Sequence, residues 1–202
     1  MKSWNVNFEK FFNYFKKSLS TGDSIYETLM NAQSLKLDSK TALEIWLLTS
    51  VVAPKSNKIT FKIENRRTEN KKRMWKPTIS ESQEEILVHC KVSGDIEKIC
   101  QDKQNKMLQM NLTMQPFIIV VGPEITAIEN VYIRLDKTLY SMPTVLKALD
   151  VLFKIFATFN ACYPKECENI WYLIQWRIYE IHTIWDENIS FLCSALNKIK
   201  RG

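Results

Sequence analysis

Glycine is scarce in this 202-residue chain, with four residues at positions 22, 94, 122 and 202. A phosphate-cradling loop needs several glycines in a short span, because consecutive backbone N–H groups must approach the ligand closely. No stretch supplies them. The run "LTMQPFIIVVGPEIT" at 112–126 ends on Gly122 alone, followed by Pro123, which has no N–H to give, and Glu124, which repels phosphate. The spacing predicts a tight turn closing a buried strand, with no nucleotide or other cofactor.

Histidine is equally thin, at His89 and His182. In a strand, His89 and Cys90 point to opposite faces, so the adjacent pair cannot act as a Cys/His couple. The five cysteines (Cys90, Cys100, Cys162, Cys167, Cys193) are odd in number and scattered, which fits reduced, buried thiols better than a disulfide framework. Cys162 and Cys167 have no second pair and no HxxxH beside them, so no metal is assigned. The acidic pairs Glu84-Glu85 and Asp186-Glu187 are expected to be solvated. No catalytic residue is assigned either; the enzyme alternative is a thiol nucleophile among Cys100, Cys162 and Cys167.

Long apolar runs are missing as well. Nothing approaches the roughly 18 uninterrupted apolar residues of a membrane span, and "MKSWNVNFEKFFNYFKKSLS" breaks up before a signal h-region could form. An intracellular chain is expected, with cytoplasm and nucleus both open.

What the chain does have is a core. It is 46% apolar, with six Trp, ten Phe and seven Tyr, ample large side chains for burial. Phe8, Phe11, Phe12, Phe15 and Leu19 recur at helical spacing, Asp23 or Ser24 can cap a second helix to Leu35, and Asp38 or Ser39 opens a third that ends before Pro54. Residues 1–54 are therefore read as an N-terminal helical segment.

Charge is concentrated next. "KSNKITFKIENRRTENKKRMWK", residues 55–76, holds nine Lys or Arg against Glu64 and Glu69, a local +7 in a chain whose total is +6, leaving about −1 for the rest. "ENRRTENKKR" has no apolar periodicity, so 55–77 is read as a basic linker, with Ile59, Phe61 and Ile63 as a short edge strand. Arg66, Arg67, Lys71, Lys72, Arg73 and Lys76 could neutralise phosphates while Trp75 stacks on a base. A solvated linker and an import signal are the competing readings.

From 78 onward the pattern is mixed. "EILVHCKV" alternates as a strand, Ser93-Gly94-Asp95 turns into a helix carrying Ile96, Ile99, Cys100, Met107 and Met110, and "PFIIVV", "NVYIRL" and "LYSM" follow as strands, the last two joined at Asp136-Lys137-Thr138. Helices then start at Pro143-Thr144, at Pro164 (through Ile170, Trp171, Ile174, Ile178 and Ile181) and near Asp186 (with Ile189, Leu192, Leu196 and Ile199). The expected class is α+β, a small mixed strand-helix-strand-strand-strand sheet covered by C-terminal helices in a domain over 78–202. Tyr172, Trp176 and Tyr179 fall off the main stripe of their helix; they are read either as deeply buried or as a partner-binding surface, self-association included.

"LTMQPFIIVVGP", "LYSMPTVLKALDVLFKIFATFNACYP" and "ENIWYLIQWRIYEI" resemble the C-terminal domain of a family of uncharacterised animal proteins, abundant in insects and fishes, for which descent from mobile elements is an open reading. Leu112, Thr113, Gln115, Pro116, Phe117, Val121, Gly122, Asn160, Tyr163, Pro164, Trp171, Gln175 and Tyr179 carry the likeness over about 80–186, with Met114 in place of a usual Leu. It implies a shared fold and no established activity. The function expected is a non-enzymatic interaction module with an unidentified protein partner; the alternative is nucleic-acid binding through 55–76.

Overall fold

Three helices open the chain in the computed structural model, which describes residues 4–19, 22–31, 35–62, 70–184, 186, 189, 192–194 and 197. They are α1 (Trp4–Phe15), α2 (Ser24–Asn31) and α3 (Leu37–Val51). Trp4, Phe8, Phe11 and Phe15 form the buried stripe of α1. The Asp23 carboxylate accepts from the N–H groups of Ile25 and Tyr26, both at 3.0 Å, and so caps α2. Asp38 lies in the first turn of α3 without capping it; its Oδ1 accepts instead from the Val145 N–H at 2.8 Å, across the fold. Helix α3 is buried on several sides, with even Glu44 only 2% exposed.

A hairpin follows where the sequence reading expects a linker. Strands β1 (Asn57–Lys62) and β2 (Asn70–Trp75) pair antiparallel as a two-stranded sheet of their own. The apolar residues of "ITFK" supply β propensity on one strand, and pairing satisfies the backbone of the polar, basic second strand, which has no apolar rhythm to reveal it.

The remaining elements are α4 (Ile79–Ile86), β3 (Leu87–Cys90), α5 (Ile96–Gln109), β4 (Phe117–Val121), β5 (Asn130–Leu135), β6 (Thr138–Met142), α6 (Val145–Phe159) and α7 (Glu168–Arg177). The four-stranded sheet runs β3-β4-β5-β6; β3 and β4 are parallel with α5 as crossover, and the other pairs are antiparallel. This is the mixed α+β architecture that the turn signals and alternations predict.

Alternation along the strands divides the interior. Ile118, Val120, Val131 and Ile133 face a large core shared with α1, α3, α6 and α7. Phe117, Ile119, Val121, Val88 and Cys90 face a smaller one beneath α5. Trp4, Phe11, Ile45 and Leu48 belong to the same cluster as Leu149 and Trp171, so the opening helices and the region beyond 78 share one interior.

Several boundaries differ from expectation. "TISESQEE" is helical: Thr78 and Glu81 form a reciprocal capping box at the start of α4, and because that helix runs to Ile86 the strand begins only at Leu87. Helix α7 ends at Arg177, so Ile181 lies outside it and is 42% exposed; Glu180, with φ of 56°, redirects the chain. Of the helix expected near Asp186, residues 192–194 are helical and Ile189 and Leu192 are buried, while Leu196 and Ile199 lie outside the described residues.

Candidate interface: the basic hairpin and its buried ionic anchor

The hairpin is fixed at its base. Asn57 Nδ2 donates to the carbonyls of Lys55 (3.1 Å) and Lys165 (3.3 Å), and Lys55 Nζ lies 2.8 Å from Glu168 Oε2. Ile59 is 5% exposed and Pro77 is buried. Beyond that base the ladder sets Lys58 opposite Met74 and Ile59 opposite Arg73. Cross-strand partners share a face, so Lys58 and Met74 make one exposed face, with Met74 69% exposed. Arg73 and Lys76 are also exposed, and Trp75 is half-buried. Lys71 and Lys72 stand in β2 opposite Phe61 and Thr60. Arg66 and Arg67 lie outside the described residues.

Tyr172 and Trp176 of α7, and Tyr179 just beyond its end, turn inward. Tyr172 and Trp176 are 8% and 6% exposed. Trp176 Nε1 donates to Asp186 Oδ2 at 2.7 Å, and Tyr179 stacks on Phe153 with centroids 3.8 Å apart while its hydroxyl donates to Asp150 Oδ1 at 2.6 Å. Lys154, 2.7 Å away, and that hydroxyl hold Asp150 ionised against the cost of its burial, down to about 2. The structure thus separates the described residues of the two groups singled out from sequence: Lys71, Lys72 and Arg73 lie on β2 with Lys76 just after it, and the aromatic ones pack in the C-terminal part of the fold.

Of the acidic pairs expected to be solvated, Glu84 is exposed, Glu85 and Asp186 are drawn into the fold, and Glu187 lies outside the described residues. Asp186 gathers Gln175, Trp176 and both the N–H and hydroxyl of Thr183, and these hydrogen bonds outweigh desolvation to lower its carboxyl pKa. Glu85 is 3% exposed and takes Lys103 Nζ at 2.5 Å; Lys103, itself 9% exposed, also donates to the Glu84 carbonyl at 3.0 Å and lies 4.6 Å from the Phe117 ring centroid. Next to this pair is Glu166, 2% exposed, with Oε1 buried and unpaired. Desolvation, then the Glu85 charge, push Glu166 up to about 7. Its carbonyl accepts from Ser82 Oγ at 2.7 Å. Glu166 therefore sits without a hydrogen-bond partner on Oε1 near the buried Glu85–Lys103 ion pair, next to the turn whose Lys165 carbonyl holds the hairpin base. The signal in the sequence was Lys103 itself, standing between Cys100 and Met107 on the apolar stripe of α5, where a lysine requires a buried partner.

His89 and three of the five thiols are held inside the fold. His89 Nε2 is 2.8 Å from the Gly122 carbonyl, which can only accept, so that nitrogen carries the proton. Burial raises the thiols of Cys90, Cys100 and, furthest, Cys167. Cys162 and Cys193 are exposed. No group of three or more metal-ligating side chains assembles among the described residues, and none of their helices is long and apolar enough to cross a membrane. A thiol-reactive probe is expected to label Cys162 and Cys193 in the native protein and to reach Cys90, Cys100 and Cys167 only after denaturation. Mass spectrometry of the labelled peptides checks this; rapid native labelling of Cys100 or Cys167 would contradict it.

Comparison of the chain with protein-family models, with curated proteins and with solved structures returns no match.

Proposed function

We propose that the protein is a non-enzymatic interaction module whose binding element is the basic hairpin of β1 and β2. The observation that supports this most is positional. Within the segment of local charge +7, β1 and β2 pair into a separate two-stranded sheet, clamped at its base by Asn57 and Lys55, with Lys58, Arg73 and Met74 exposed on the strands and Lys76 exposed just after β2. A clamped ribbon presents its charges with less entropy to lose on binding than a free linker. The thiols raised by burial and the imidazole tied to a carbonyl fit the same reading, because neither is poised as a nucleophile.

The chemistry of the element selects an anionic partner. Nucleic acid is the second reading, favoured by the basic ribbon, a shape that fits a nucleic-acid groove, and by Trp75 beside Lys76. Fluorescence anisotropy with labelled duplex DNA, single-stranded RNA and an acidic polypeptide distinguishes the partner classes. Replacing Arg66, Arg67, Lys71, Lys72 and Arg73 by Ala is expected to abolish binding to whichever probe is recognised without unfolding the chain. Binding that survives the five substitutions would place the interface elsewhere.

A further inference from the structure

The two edges of the four-stranded sheet are treated differently. At the β3 edge, Trp46 Nε1 donates to the Leu87 carbonyl at 3.0 Å, so a helix side chain covers it. At the β6 edge, Thr138, Leu139, Tyr140 and Ser141 are exposed and Met142 is half-buried, and among the described residues no hydrogen bond reaches the outer side of the strand. The strand "TLYSM" has no Lys, no Pro and no bulge, the devices by which proteins blunt an open edge.

The register shows which groups are on offer. Leu135 pairs with Thr138 across the two-residue turn Asp136-Lys137, where Asp136 has φ of 50°. In such a hairpin the pair flanking the turn exchanges hydrogen bonds, and so do alternate pairs beyond it, here Ile133 with Tyr140 and Val131 with Met142. The N–H and C=O groups of Leu139 and Ser141 consequently point away from β5.

We propose that β6 is a self-association edge, on which a second copy of this chain docks antiparallel about a two-fold axis through Tyr140, joining two four-stranded sheets into one of eight. Leu139 of each copy then meets Ser141 of the other, giving four backbone hydrogen bonds. Tyr140, 47% exposed, faces Tyr140 of the second copy in the close, non-hydrogen-bonded pair. Thr138 meets Met142. The charges suit this occupant: all five paired positions are neutral, Lys137 falls opposite Pro143 rather than another lysine, and Asp136 falls opposite Thr144, beside the N-terminus of α6, the end that favours a carboxylate. Five residues make a small interface beside the roughly 1,200 Å² of a stable complex, so the association depends on concentration. It is independent of what the hairpin binds.

Sedimentation velocity on the full chain over a wide concentration range tests the edge. Reversible dimerisation is expected. Tyr140→Lys, which sets like charges face to face, and Ser141→Pro, which removes an outward N–H, should each abolish it. Tyr140→Lys acts at a half-exposed side chain and should leave the melting temperature unchanged. In a Cys162→Ser, Cys193→Ser background, Tyr140→Cys should give a disulfide-linked dimer on mild oxidation, and Thr138→Cys, which has no equivalent residue opposite it, should not. A monomer at every concentration, a dimer indifferent to both substitutions, or equal cross-linking at 138 and 140 would overturn the proposal.

Discussion

Replacing Glu166 by Gln is expected to remove most of the pH dependence of stability between about pH 5 and 8. The Glu166 carboxyl is raised from its ordinary 4.5 to about 7 by desolvation and by Glu85, so the folded protein holds this proton more tightly than the unfolded chain. Its contribution is therefore fully present below the unfolded value and is lost as pH rises through about 7. At about 1.4 kcal/mol per pKa unit, the loss is on the order of 3 kcal/mol. Above that pH an ionised Glu166 competes with Glu85 for Lys103, with Lys106 the next cation out and held by Glu81 at 2.8 Å.

Other groups titrate in separable ways. Asp150 and Asp186 are lowered, so what they contribute is present above the ordinary carboxylate range and fades only in acid. Glu44 is raised mainly by burial, against the opposing hydrogen bond from Trp4 Nε1 at 2.6 Å, and gives a drift of the same sign as Glu166. The difference between wild type and Glu166→Gln isolates the cluster. Urea unfolding at pH 5, 6, 7 and 8 checks it, and parallel curves for the two proteins would show that Glu166 does not titrate in this range.

The second large effect is expected at Gly122. A Cβ built there would lie 2.2 Å from the Ala127 carbonyl oxygen and 3.1 Å from the Ile128 Cα. Both are backbone atoms, which cannot rotate away as a flexible side chain could. Gly122→Ala must displace the 123–129 loop, straining the bonds from Gly122 N–H to the Cys90 carbonyl (3.1 Å) and from Glu129 N–H to the Val121 carbonyl (2.8 Å) at the ends of β3 and β4. Overpacking of this kind costs about 1–3 kcal/mol, and each compromised bond adds about 1 kcal/mol. A fall in melting temperature on the order of 10 °C follows for a chain of this size. A melting temperature within about 2 °C of wild type would contradict the close approach.

This explains the lone glycine at the end of "PFIIVV". One glycine cannot build a phosphate cradle, so Gly122-Pro123 reads as a turn from sequence alone. The structure supplies the physical requirement: the returning chain passes where a side chain would stand.

Elements were readable where a local rule sufficed. The stripe of α1, the cap at Asp23, the all-apolar β4 and the Asp136-Lys137 turn each follow from neighbours in sequence. Helix α4 was hidden because its composition is polar; the Thr78-x-x-Glu81 box was its only announcement. The β2 strand was hidden because its pairing depends on β1 rather than on its own pattern. The ionic cluster was the least readable, since Glu85, Lys103 and Glu166 come from α4, α5 and the turn before α7, and their burial is decided by three elements meeting. The site residues divide in the same way: charge density marked the basic segment, whereas the inward direction of Tyr172, Trp176 and Tyr179 was settled by packing against Tyr163, Asp186, and Phe153 with Asp150, respectively.

The central claim is that the clamped basic hairpin recognises an anionic partner, and the salt dependence of binding tests it most directly. Anisotropy titrations of duplex DNA, single-stranded RNA and an acidic polypeptide over a series of salt concentrations should give log K falling linearly with log salt for at least one probe. For duplex DNA the slope is about −0.9 per phosphate neutralised. The variant lacking Arg66, Arg67, Lys71, Lys72 and Arg73 should show a nearly flat line or no binding. Absence of binding to all three probes at low salt, or a slope that the five substitutions leave unchanged, would contradict the claim.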